Sequence, residues 1–214
     1  MYMIVAPTLT HVNVFVSNIF HPQEWNTKND MYQGCNKTAL CSQKNIAEGF
    51  YELLKEKEYS KITASEICKK SGVSRQTFYS LFASKENIVA FILSKEYAFN
   101  PAEECKCCGY PTMRELSKGF SSFIVQKGDF LDLLEKNNII YLMQESLYSS
   151  FCCCHDTDNS EYLNDSISPD LAIDFITSGL TAIAKYYVKN RSEISCDQLE
   201  DIIYSLFSGE YLKG

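Results

Sequence analysis

From about Thr38 the chain takes up a helical rhythm. Ile46, Phe50, Leu53 and Leu54 recur at helical spacing, with Lys44, Glu48, Lys55 and Glu56 between them. That pattern makes one apolar face and one charged face. It breaks at Glu58-Tyr59-Ser60. The next helix has a full start signal: Thr63 and Glu66 form a T-x-x-E capping box, and Ile62 and Ile67 stand at the flanking positions of a hydrophobic staple. Gly72 is placed to end that helix in a left-handed conformation, which costs glycine little. Ser74 is an N-cap for a short helix running through Phe82. Ser84 caps a fourth helix, whose apolar surface is Ile88, Val89, Phe91, Ile92 and Leu93. Two short helices separated by about three residues form a helix-turn-helix. Val73, Phe78, Leu81 and Phe82 are expected to pack inward beneath it.

Past Asn100 a cysteine-rich break, Cys105-Lys-Cys107-Cys108-Gly109-Tyr110-Pro111, interrupts the pattern. Helices are then predicted over 113–126, 130–135, 139–151, 170–189 and 196–207, with a polar loop at 155–169. Ile173, Ile176, Leu180 and Ile183 form one stripe, and Leu199, Ile202, Ile203 and Leu206 form another. Either stripe suits an interface between two subunits or the chain's own core, and periodicity does not separate the two. Residues 1–36 have no clear period. They are expected to be a poorly determined arm or an over-extended start, with Met31 as an alternative beginning. The prediction is an all-α chain with a head at 37–96 and a helical body at 97–214.

Composition changes this picture in one respect. The net charge is −7, which by itself argues against a nucleic-acid partner. Between Lys37 and Glu96, however, there are ten Lys/Arg against seven Asp/Glu, and the remainder holds ten against twenty. A basic head on an acidic body suits a nucleic-acid-binding module joined to a regulatory one. No apolar run approaches the roughly 18 residues of a membrane span. The apolar start has no preceding Lys or Arg and makes a poor signal peptide. A cytoplasmic protein without membrane partners is therefore expected, with its ten cysteines as reduced thiols.

The run Gly72-Val-Ser-Arg-Gln-Thr-Phe-Tyr-Ser-Leu-Phe-Ala-Ser-Lys-Glu86, with the helices on either side of it, resembles the DNA-binding head of the TetR/AcrR family. Further on, Phe175-Ile-Thr-Ser-Gly-Leu180 and Lys185-Tyr-Tyr187 look like the penultimate helix of members with short regulatory domains. The resemblance implies a transcription regulator, a repressor by expectation. It would bind a pseudo-palindromic double-stranded DNA site as a homodimer and answer to a small-molecule or protein effector that the sequence does not name. It implies no enzyme and no cofactor.

A recognition helix presents its N-terminal residues to base edges, here Ser74, Arg75, Gln76 and Thr77. Arginine pairs with guanine and glutamine with adenine. By resemblance Tyr79 and Lys85 carry over as phosphate contacts, with Thr63 touching the backbone as well as capping its helix. Ser65 is a further DNA-facing candidate. Two departures stand out. Family members usually have glycine where this chain has Glu58, which predicts a strained left-handed position costing about 1 kcal/mol. Ser80 is less basic than usual.

An alternative reading uses the cysteines. Cys105, Cys107 and Cys108 with Cys152, Cys154 and His155 carry ligand types that suit zinc or a redox sensor. Neither cluster has C-x-x-C spacing, so free thiols and small buried apolar side chains are the plainer expectation.

Overall fold

The computed structural model describes residues 31–32, 34–94, 112–153 and 168–212. Among the described residues it is all helical. The α-helices are α1 (Lys37–Glu56), α2 (Ala64–Ser71), α3 (Arg75–Leu81), α4 (Lys85–Ser94), α5 (Met113–Gln126), α6 (Gly128–Lys136), α7 (Tyr141–Cys153), α8 (Pro169–Asn190) and α9 (Cys196–Ser208). One turn of 3-10 helix, Tyr59–Lys61, links α1 to α2.

The helix starts follow local chemistry. Thr63 and Glu66 satisfy each other's backbone N–H groups in a complete capping box. Thr112 with Glu115, and Ser195 with Gln198, do the same at α5 and α9. Gly72 ends α2 at φ +71°, in the left-handed region where a Cβ would be strained. Gly49 has a different role: a Cβ there would lie 3.2 Å from the backbone nitrogen of Ser71, so its absence lets α1 and α2 close up.

The head core is aromatic. Phe50, Phe78 and Phe82 are fully buried beside Ile46, Ile62 and Ile67. Phe82 meets the edge of Phe91 at 5.3 Å. Such edge-to-face pairs add about 0.5–1.5 kcal/mol beyond burial. In α4, Ile88, Val89, Ala90, Phe91 and Leu93 are all buried, because this helix packs on α1 on one side and on α7 of the body on the other. Head and body therefore share one continuous core. In the body, α5 lies along α9, and α8 packs against α6 and α7.

Two expectations change in the structure, and one open alternative is decided. Glu58 has φ −60° and ψ 139°, ordinary extended backbone, so the expected left-handed strain is absent. The end of α1 is remade instead, with Lys57 also extended. Residues 31 and 32 are not loose: Met31 bridges Phe82, and the Tyr32 N–H donates to the Leu81 carbonyl at 3.1 Å. Gln43 Nε2 in turn donates to the Tyr32 carbonyl at 2.9 Å. This segment ties the C-terminal end of α3 to α1. The α8 stripe of Ile173, Ile176, Leu180 and Ile183 is buried within the chain, as are Leu199 and Ile203 of α9. The apolar side chains these two helices leave exposed are Leu171, Phe175, Tyr186 and Leu206. No described helix is long and apolar enough to cross a membrane.

Candidate nucleic-acid interface

Ser74 starts α3 by accepting the Thr77 N–H at 3.0 Å, and its hydroxyl also lies 2.8 Å from the Thr77 hydroxyl. This cap points the first turn of α3 outward. Arg75 and Gln76 are exposed there. The Arg75 guanidinium donates to Ser65 of α2, which steadies it between the two helices. Gln76 has no side-chain partner among the described residues. Tyr79 follows one turn later, 59% exposed, with its ring edge-on to Phe78 at 5.2 Å and its hydroxyl unpartnered among the described residues.

The other sequence candidates are occupied within the chain. The Thr63 hydroxyl donates to Glu66 Oε2 at 2.8 Å and accepts the Glu66 N–H at 3.3 Å. Ser74 and Thr77 serve the cap of α3. The Lys85 ammonium donates to the carbonyls of Tyr59 and Ile62, both at 3.0 Å, and sits 4.1 Å over the Tyr59 ring. An ammonium carries three donors, so one remains beyond those two carbonyls. The structure thus sorts the candidates into two groups. Arg75, Gln76 and Tyr79 are displayed, whereas Thr63, Ser74, Thr77 and Lys85 chiefly hold the display in place.

Charge reinforces that frame. Lys57 pairs with Glu66, and Lys70 with Glu56 at 2.7 Å, fastening α2 to α1. The Lys57 ammonium, with the hydroxyl and amide of Thr63, holds the Glu66 carboxyl down at about 2. Burial and the Glu86 carboxylate push the Tyr59 phenol up, so it stays protonated and donates to Glu86. Tyr59 drew attention in the sequence only as an aromatic after a break, yet it is the hub of the α1–α2 turn. Its partners lie 26 to 78 residues away, and no local pattern marks them.

In the body, an open groove of about 780 Å³ runs between α7 and α8, lined by Tyr141, Gln144, Glu145, Tyr148, Asp170 and Asp174. The space between α5, α8 and α9 is closed down to about 10 Å³, no more than about one water. Cys105, Cys107, Cys108, Cys154 and His155 lie outside the described residues, and of Cys152 only its place in α7 is described. Among the described residues no His, Cys, Asp or Glu group is arranged to hold a metal ion.

Comparison with known proteins bears on the head most strongly. The family model for bacterial regulatory proteins, tetR family, matches residues 48–91. The HTH-type dhaKLM operon transcriptional activator DhaS of Lactococcus lactis subsp. lactis (strain IL1403) is 32% identical over 62 residues, 29% of this chain. The match spans 33% of that curated relative's length. A solved TetR transcriptional regulator from Streptococcus agalactiae 2603V superposes with a TM-score of 0.51 at 20% identity, over 80% of this chain and 96% of that one. This second likeness is one of fold, and it extends from the head through the body. The head thus resembles that of bacterial regulatory proteins of the tetR family over residues 48–91, and the chain as a whole shares the fold of the Streptococcus regulator.

Proposed function

We propose that the chain is a one-component transcription regulator that inserts α3 into the DNA major groove. One observation carries this reading. The capped first turn of α3 displays Arg75 and Gln76, two side chains suited to base edges, on a frame held by the Thr63–Glu66 box and Gly72. Arg75 and Gln76 are assigned to bases. Tyr79 and the remaining Lys85 donor are assigned to phosphate, with Thr63, Ser65, Ser74 and Thr77 supporting them. The matching family model and the DhaS relative support the regulator reading.

The protein acts as a homodimer in this account, through the outer faces of α8 and α9. Phe175 is 72% exposed and Leu206 43% exposed, apolar surface that a second copy would cover. Two heads then read two half-sites of a pseudo-palindrome. An effector, small molecule or protein, acts on the body, and the α7–α8 groove is the described space large enough to hold a small one. Repression by promoter occupancy is the first reading of direction. Activation is the second, because the relative sharing the head is named an activator.

Selection of bound fragments from genomic DNA, followed by reporter transcription on the selected sites, tests both. A shared palindromic motif whose deletion changes transcription is expected. Random fragments with no enriched motif would overturn the proposal.

A further inference from the structure

The 3-10 turn that precedes the helix-turn-helix lacks a cap of its own. Its N-cap residue, Glu58, turns its carboxylate to Lys61 at 2.9 Å and makes no side-chain cap hydrogen bond, which leaves the Tyr59 N–H an orphan donor at a half-buried site. The acceptor comes from the body. Asn137, at the C-terminal end of α6, places its side-chain oxygen 2.7 Å from the Tyr59 nitrogen, across 78 residues of sequence.

Asn137 is itself held firmly. Its side-chain nitrogen donates to the Leu133 carbonyl at 2.9 Å, and its backbone N–H reaches the same carbonyl at 3.1 Å. Asn138 follows at φ +58°, the one left-handed non-glycine residue among those described. The Ile139 N–H then closes on the Leu134 carbonyl at 2.9 Å. The carboxamide therefore has both ends engaged and one orientation.

From Tyr59 the linkage continues into the head. Its carbonyl and ring face hold Lys85, its hydroxyl donates to Glu86, and its ring edge meets Phe50 at 6.2 Å. Lys85 and Glu86 are the first two residues of α4, which three residues separate from the end of α3. One side chain of the body thus bears on the turn before the reading unit and, through Tyr59, on the helix after it.

We propose that Asn137 is a positioning residue for DNA reading: it caps the α1–α2 turn from the body and so sets how α3 is presented. This rests on the regulator reading above. A change in the body that moves the end of α6 would be felt at Tyr59 and hence at α3, with no ligand touching the head.

The test compares Asn137→Ala with Asn137→Asp and with Asn190→Ala. Asp keeps an acceptor for the Tyr59 N–H. Asn190 makes the same local bond, donating to the Tyr186 carbonyl at 2.8 Å, in a helix that packs mainly on α6 and α7 of the body. Affinity for the selected DNA site is measured by fluorescence anisotropy, and amide exchange is followed at Tyr59 and across 85–86. Loss of one half-buried bond that orders the reading head should weaken Asn137→Ala about tenfold. Asn137→Asp should recover most of that loss, and Asn190→Ala should bind as the unaltered protein does. Equal affinity for Asn137→Ala and the unaltered chain overturns the proposal, as does an equal loss in Asn190→Ala. If the unaltered protein selects no DNA, the regulator reading fails by itself. Exchange still decides the contact: faster exchange at Tyr59 in Asn137→Ala upholds it, and unchanged exchange overturns it.

Discussion

Head and body are built on opposite economies. In the head, the short helices α2 and α3 are held by closely spaced polar devices: the Thr63–Glu66 box, the left-handed Gly72, the Ser74 cap and the Lys57–Glu66 and Lys70–Glu56 pairs. In the body, α5 and α9 also start in capping boxes, but the helices meet one another through broad apolar faces, with Leu131, Leu134, Ile173, Leu180, Leu199 and Ile203 almost fully buried. A reading head has to present a few side chains at fixed positions, and dense local constraint does that. A body that answers to an effector needs alternative packings, which apolar faces permit more readily than interlocked polar caps do.

The comparison breaks first at the aromatic core. Phe82→Ala removes a ring that packs on Phe78 and Phe91 and lies at 0% exposure. Chemical denaturation should show a loss of about 3–5 kcal/mol. DNA binding should vanish with it, because Phe82 also anchors Met31 beside α3. A loss under about 1 kcal/mol would mean that the head is not held from this core.

Much of this was readable in advance, and the reason is range. Thr63, Glu66, Gly72 and Ser74 each act on a partner within four residues, so spacing alone exposes them. The helix predicted at 113–126 from its helical pattern falls where α5 lies, and the structure shows its start held by Thr112 and Glu115. The Ile173 and Leu199 stripes were visible too, but periodicity reports a buried face without saying who buries it. Their place in the chain's own core, and the exposure of Phe175, needed three dimensions. Least legible was the Tyr59–Asn137 contact, since each residue is ordinary in its local sequence. The strain expected at Glu58 failed because the chain leaves α1 through extended backbone rather than a left-handed turn.

A second prediction sharpens the contrast from the body side. Phe175→Glu places a charge on an exposed apolar face without entering the core. Light scattering should find a dimer for the unaltered chain and a monomer for the variant, with the melting temperature little changed. A persistent dimer would move the interface elsewhere. Smaller still is Thr63→Ala, which removes an N-cap and should cost about 1 kcal/mol. Denaturation midpoints read it directly, and no change would show that the box is dispensable.

The smallest expected effect is on acid stability. Glu66 is held at about 2 in the folded head against an ordinary 4.5, so its contribution is fully present above about pH 4.5. It is lost as pH falls towards 2. Glu66→Gln should flatten the pH dependence of stability in that window. Equal slopes for the two proteins would contradict the assignment of Glu66 as a charged brace.

The central claim is that the displayed first turn of α3 reads bases while the frame around it positions that turn. Fluorescence anisotropy of the unaltered chain and Arg75→Ala, on the selected site and on a scrambled duplex at several salt concentrations, tests it most directly. Arg75→Ala should lose about 1–3 kcal/mol on the selected site and relax the preference for guanine opposite it. Its affinity for scrambled DNA should change far less, with melting unchanged. Undiminished affinity for the selected site would contradict the account.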